Sequence, residues 1–256
     1  MGLQHEHLIA GCEACTDWAL PRLGKAMKAK TGNGAVLIKG LQKMRLFNGM
    51  SASEVEEVVQ RIGVGGVRCF AKDDTVVYEG TKAKWLVPVL SGRLIVYESG
   101  SSGKRQFVRT VEAGQLFGAT LVTTRLEYYP GMAVAESECE VMFFDMAKIR
   151  ELWHDDKYRK FFANLYTAVS EYVLYCWRKM SILSCKKVED RFMLYLRWCA
   201  SEIGESDVTL PFATSEACAQ YLGVTRTALS LAINRLVARG EIVHPGHSRF
   251  VIRGIV

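Results

Sequence analysis

The chain has 256 residues, 49% of them hydrophobic and 23% charged, with a net charge of +6. That length suits one large or two modest globular domains, and the mild basic excess is compatible with a polyanionic partner. No apolar run approaches the ~18 residues of a membrane helix, so a helical span is excluded. The opening MGLQHEHLIAGC has no basic region followed by a long apolar core, so no secretory signal is expected. Eight cysteines in such a chain are expected to be reduced thiols in the cytoplasm, most of them plain buried hydrophobes.

Residues 1–36 form an N-terminal extension mixing Gly, Lys and Ala. It holds a CxxC, Cys12 and Cys15, with His5 and His7 nearby. Two readings stand beside each other: a metal, haem or redox site, or a short helical appendage with incidental thiols. Structural zinc usually takes four ligands, and no second CxxC exists.

Residues 37–50 read as a helical lead-in. Ser51 and Glu54 form the S-x-x-E of a capping box and open an amphipathic helix ended by Gly63. From Gly65 to Asp145 the period shortens. VRCFA, TVVYEG, WLVPVLSGRLIVYE, QFVRTV, QLFG and AVAESECEVMFFD are β-rich runs between turn residues, with GSSGKR at a hairpin tip. Strands at that spacing predict a barrel or sandwich.

Residues 146–184 return to helix. From Tyr158, the residues Phe162, Leu165, Val169, Tyr172, Cys176, Met180 and Leu183 recur at three and four, a near-heptad seam suited to a coiled-coil dimer. The alternative is a long helix packed on its own β-domain. A second helix is expected from about Val188 to Ile203, and DVTLPF follows it.

Residues 214–239, TSEACAQYLGVTRTALSLAINRLVAR, read as a helix-turn-helix. Thr214 can cap the first helix, and Cys218 and Leu222 share its inner face. Gly223 permits the sharp turn and Val224 plugs the space between the helices. Ala219 is small where the helices cross. Thr225 can cap the second helix, whose inner face is Leu229, Ala232, Ile233 and Leu236, and Gly240 suits its stop. The other reading is a generic helical hairpin. The outward face carries Arg226, Thr227, Ser230 and Asn234, with Arg226 matched to guanine O6 and N7. Thr214, Ser215, Thr225 and Arg249 complete the expected DNA contacts. From 213 onward five Arg against two Glu favour a polyanion. EIVHPGHSRFVIRG then reads as a two-stranded wing with His244 and His247 flanking its turn.

The order of β-barrel, long helix and winged helix-turn-helix resembles the CRP/FNR family of bacterial transcription regulators over about residues 37–256. LFNGMSASEVEEVV, LSGR at 90–93, EAGQLFG at 112–118 and YLGVTRTALS at 221–230 carry the resemblance. It implies an α+β protein with a jelly-roll effector barrel of cyclic-nucleotide-binding type over 37–145, a dimerisation helix over 146–184 and a winged helix-turn-helix over 185–256. It also implies a homodimer on palindromic double-stranded DNA that recruits or blocks RNA polymerase.

The departures redirect the effector. Cyclic-nucleotide binders of the family follow Phe-Gly with Glu. Here Phe117-Gly118 is followed by Ala119, and the stretch expected to hold the phosphate reads Tyr128-Tyr129-Pro130, without a cation. A buried phosphate without a cation or N–H cradle is costly, so a non-nucleotide effector is expected. The expected pocket is Val87, Val89, Leu94, Phe117, Gly118, Leu121, Tyr128 and Tyr129, either gripping a flat ligand or simply filling the barrel. Haem-binding and iron–sulfur relatives keep a gas or redox sensor open as an alternative, with Cys12, Cys15, His5, His7 and Cys69 as candidate ligands. Many relatives carry Glu after the recognition Arg and a second Arg further on. Thr227 and Leu231 stand there, so a different half-site is expected. No Ser/His/Asp set, paired carboxylate motif or P-loop is present, so catalysis is not expected.

Overall fold

The computed structural model describes residues 34–253, except 101, 102, 104, 125, 213 and 247. Cys12, Cys15, His5, His7 and His247 lie outside the described residues.

The lead-in is α1 (Gly34–Gln42) and a 3-10 turn at Arg45–Phe47. Ser51 caps α2 (Ala52–Ile62) in both directions. Its hydroxyl accepts from Glu54 N–H, and the Glu54 carboxylate accepts from Ser51 N–H at 2.7 Å. Those bonds and Lys160 hold Glu54 down to about 2. Val55, Val58 and Ile62 recur at three and four and are the buried face of α2.

Eight strands follow: β1 (Val64–Phe70), β2 (Thr75–Val77), β3 (Trp85–Ser91), β4 (Arg93–Ser99), β5 (Arg105–Glu112), β6 (Leu116–Phe117), β7 (Met132–Ala135) and β8 (Cys139–Asp145). They form two four-stranded antiparallel sheets, ordered β1-β8-β3-β6 and β2-β7-β4-β5. The expected jelly-roll barrel is thus a sandwich with one core between its sheets. Leu86, Val89, Leu94, Val111, Val141 and Phe144 are fully buried in it. A short helix the sequence did not signal, α3 (Ala119–Thr123), follows β6. Its cap is Gly118 at φ 85°, where a Cβ would meet Met146 Cε at 3.0 Å and Trp85 O at 3.3 Å. Only glycine takes that backbone in that space without strain.

The single helix expected over 146–184 is interrupted. α4 (Met146–Glu151) ends, a 3-10 turn spans Asp156–Tyr158, and α5 runs from Arg159 to Ser184. The Asp155 carboxylate takes the Lys157 N–H at 3.0 Å and caps that turn. Arg150 ties α4 to α3 by donating to the carbonyls of Leu121 and Val122.

The expected seam on α5 is corrected by about one position. Leu165 is 2% exposed and packs with Phe161 into the core of its own sandwich. Tyr172 lies against Arg109 of β5, and the neighbouring Tyr175 donates its hydroxyl to Val108 O at 3.1 Å. Cys176 is half-buried, and Phe162 and Val169 pack at the margin of the sandwich core. The apolar stripe that α5 leaves outside is Tyr166, Val173, Trp177 and Met180, each more than half exposed. Of the predicted seam, only Met180 belongs to this stripe, and Leu183 is 40% exposed.

α6 (Val188–Ile203), β9 (Asp207–Thr209), α7 (Ser215–Leu222), α8 (Arg226–Ala238), β10 (Ile242–Gly246) and β11 (Arg249–Ile252) build a second core. Phe192, Leu196, Leu222, Leu236 and Ile252 fill it. The wing has three strands instead of the expected two, ordered β10-β11-β9, because the DVT of DVTLPF pairs with β11.

Candidate nucleic-acid interface and effector cleft

The helix-turn-helix forms as its sequence dictates. Thr214 Oγ1 accepts from Ala217 N–H at 3.1 Å, and Thr225 Oγ1 from Ala228 N–H at 3.2 Å, so both hydroxyls serve as caps. Gly223 turns the chain at φ 66°, and the Val224 N–H closes on Ala219 O at 3.0 Å. Arg191 of α6 braces the turn by donating to Leu222 O at 3.1 Å. Ala219, Leu229, Ala232 and Leu236 are buried between the helices as expected.

What remains outside is Arg226, Thr227, Ser230, Leu231 and Asn234 along one face of α8, all exposed. Arg226 stands on the first turn, and no ion pair among the described residues engages it. That is where a recognition helix presents side chains to base edges. Leu231, which stands where many relatives carry a second Arg, is 51% exposed on this face, and its shape suits a thymine methyl. Arg235 leans back onto the buried Glu189 of α6 at 2.8 Å and holds that carboxyl below its usual range. Arg249 is committed elsewhere too. Its guanidinium makes a two-pronged pair with Asp207, at 2.9 Å and 2.5 Å, across the wing. It is therefore a wing clamp before it is a DNA contact. His244 stacks on Phe250 with centroids 4.4 Å apart.

The expected effector pocket divides. Val87, Val89 and Leu94 are fully buried core residues, and Tyr128 is 57% exposed on the outside of the sandwich. Tyr129 is a structural strut. Its hydroxyl donates to Trp85 O at 2.6 Å and accepts from Trp85 N–H at 2.9 Å, and its ring stacks on Phe117 at 5.7 Å. Burial pushes that hydroxyl up to about 12. Tyr129→Phe leaves both Trp85 groups unsatisfied and is expected to lower stability by about 1–3 kcal/mol. A urea titration with an unchanged midpoint would contradict the strut.

Phe117, Gly118 and Leu121 do line a cleft, of about 380 Å³, but its other walls come from β5, α5, α6 and α7. It opens between the sandwich and the helix-turn-helix domain. Ala119 is in its lining, so the position of the family glutamate offers a methyl. Two arginines line it, Arg45 and, from β5, Arg109, and neither was among the expected pocket residues. Arg109 Nη2 donates to Leu116 O at 2.8 Å and its guanidinium lies 4.5 Å from the Tyr172 ring centroid. From there a row of rings leads to the helix-turn-helix domain: Tyr172 to Tyr175 at 6.3 Å, then Tyr175 to Tyr221 of α7 at 6.2 Å. Burial raises the Tyr172 hydroxyl to about 12 and pushes those of Tyr175, Tyr195 and Tyr221 up as well, so all stay protonated at neutral pH.

The two domains touch beside this row. Phe107 of β5 meets Tyr221 edge-on at 6.3 Å, and Arg93 Nη1 donates to Pro211 O at 3.4 Å. Lys179 of α5 lies over both rings, 5.0 Å from Phe107 and 4.1 Å from Tyr221. Among the described residues, neither its Nζ nor the Tyr221 hydroxyl has a hydrogen-bond partner. Burial lowers Lys179 to about 8, against 10.5 for a free side chain. A lysine held below its unfolded value weakens the fold while it must stay charged. The penalty is full below about pH 8 and fades as pH rises towards 10.5. The two ring faces return part of it. Lys179→Met keeps the stem and drops the charge, so it is expected to stabilise the chain by about 1–2 kcal/mol at pH 7. Denaturation at pH 7 and pH 10 checks this; a gain that does not shrink at the higher pH counts against it.

Cys69, the barrel thiol considered as a ligand, has Sγ 3.7 Å from Glu140 Oε1. Burial and that carboxylate push it up, away from the thiolate a metal needs. No group of three His, Cys, Asp or Glu among the described residues could hold a metal ion, and no helix among them is long and apolar enough to cross a membrane.

Residues 67–156 match the family described as the cyclic nucleotide-binding domain. No curated protein sequence matches the chain. Among solved structures, FixK2 from Bradyrhizobium japonicum is 19% identical with a TM-score of 0.57, covering 74% of this chain and 92% of its own. The c-di-GMP responsive global regulator CLP from Xanthomonas campestris is 16% identical with a TM-score of 0.61, covering 80% of this chain and 100% of its own. A CooA mutant from Carboxydothermus hydrogenoformans is 16% identical with a TM-score of 0.61, covering 81% of this chain and 88% of its own. With a domain of cyclic-nucleotide-binding type over 67–156 and these neighbours along most of its length, the chain has the fold of the CRP/FNR-type regulators.

Proposed function

We propose that the protein is a DNA-binding transcription regulator that acts as a homodimer on palindromic promoter sites in the cytoplasm. The observation that carries this reading is the face of α8. A capped recognition helix presents Arg226, Thr227, Ser230 and Leu231 outward from its first turns, on a domain whose own core is complete without them. This reading divides the labour among three segments. Residues 37–145 sense, 146–184 pair two copies through the outer stripe of α5, and 185–256 read DNA. RNA polymerase is the partner through which such a regulator acts.

The effector belongs in the cleft between sandwich and DNA-reading domain. A non-nucleotide effector is favoured because Ala119, in the cleft lining, offers a methyl at the position of the family glutamate. A ligand there touches both domains, so it can favour one arrangement of the DNA heads over another.

The test is selection of double-stranded DNA from a random pool by the full chain. Enrichment of an inverted repeat with half-sites about one helical turn apart, ~34 Å, is expected. Enrichment of a lone, asymmetric site would sink the dimer, and no enrichment would sink the regulator.

A further inference from the structure

We propose that the cleft binds an aromatic carboxylate, its acid group on Arg109 and its ring system along Tyr172 and Tyr175 towards Tyr221. The inference rests on the effector reading above and names the ligand chemistry.

The acid group is argued from Arg109. Its guanidinium is half-buried, with one nitrogen on Leu116 O and one face on Tyr172. Among the described residues it makes no ion pair. Four glutamates share the cleft lining, and all are exposed. Glu112 pairs with Arg93, Glu171 with Arg45 and Glu202 with Arg178, so three are already taken by other cations; Glu98 is the fourth. A guanidinium drawn out of water without its counter-ion is costly, and a carboxylate offers two oxygens matched to the edge Leu116 leaves open.

The ring is argued from the walls. Phe117, Tyr172, Tyr175, Trp198, Phe212 and Tyr221 all line the same space. Flat aromatic walls grip a flat ligand by area, and protonated tyrosines orient it without repelling an anion. Tyr221 is 4% exposed, and its hydroxyl has no hydrogen-bond partner among the described residues. It supplies an unused donor at the far end. The cleft volume of about 380 Å³ suits an acid of one or two rings. Of the two arginines in the lining Arg45 is paired with Glu171 and Arg109 with no carboxylate, and Ala119 offers a methyl where the cyclic-nucleotide binders carry their glutamate.

Titration calorimetry on the full chain tests this with indole-3-acetate, 4-hydroxycinnamate and 1-naphthoate, each beside its amide, and with cAMP. At least one acid is expected to bind about tenfold or more tightly than its amide, the span of one charge-assisted bond. Arg109→Gln is expected to erase that preference, while Arg105→Gln, exposed on the same strand, leaves it intact. The acid–amide comparison in the unaltered protein needs no variant to fold. If no acid is preferred tenfold over its amide, or if cAMP binds more tightly than every acid, the inference is overturned. A gel shift without ligand stands apart: its failure would remove the regulator, not the site.

Discussion

Trp177→Glu is expected to turn a dimer into monomers, and Leu165→Glu is expected to unfold the sandwich instead. The two residues lie on one helix, α5, and differ in what already covers them. Leu165 is 2% exposed, packed with Phe161 inside its own protomer. A carboxylate there has neither water nor a cation, a cost of several kcal/mol that a protein of ordinary stability does not survive. Trp177 is 64% exposed, with Tyr166 and Val173 before it and Met180 after it at helical spacing. Four large apolar groups in one exposed row support the interface we propose. A charge in that row leaves the protomer folded and removes only the pairing. Sedimentation velocity with circular dichroism separates the outcomes. A folded, dimeric Trp177→Glu protein would refute the stripe, and a folded Leu165→Glu monomer would restore the seam placed one position away.

That one-position error shows how far periodicity reaches. α5 carries two apolar rows: Phe161, Leu165 and Tyr172 on one side, Tyr166, Val173 and Trp177 on the other. Both satisfy spacing of three and four, and only the shape of the sandwich decides which row it covers. The helix-turn-helix was legible because its signals are local. Thr214, Gly223 and Thr225 each fix a backbone position without help from the rest of the chain. The β-runs were legible as alternation and turns, and the capping box at Ser51 as a motif. The cleft was not. Phe107 and Arg109 flank an irregularity in the pairing of β5 with β4, and a sequence gives no sign that this stretch meets α5 and a second domain. Tyr129 misled in the other direction, since an aromatic with a hydroxyl serves a ligand or a strand equally well, and here the Trp85 backbone claims it.

Arg226→Ala is expected to remove sequence discrimination while leaving the fold intact. The side chain is exposed at the start of α8 and takes no part in capping, which falls to Thr225. Its loss therefore leaves the second core untouched. A bidentate arginine–guanine pair carries about 1–3 kcal/mol, and both heads of a dimer lose it, so affinity for the selected site should fall by roughly two orders of magnitude or more. Affinity for unrelated DNA should fall little, because phosphate contacts give that term. Two neighbours serve as controls. Thr225→Ala removes the cap of α8, costing about 1 kcal/mol of stability and weakening binding on all sequences alike. Arg249→Ala breaks the pair with Asp207 and loosens the wing. Gel-shift titration of the three variants on the selected site and on random DNA tells these apart. If Arg226→Ala keeps the ratio of specific to non-specific affinity, α8 does not read bases through that residue, and Thr227, Ser230 and Leu231 carry the recognition.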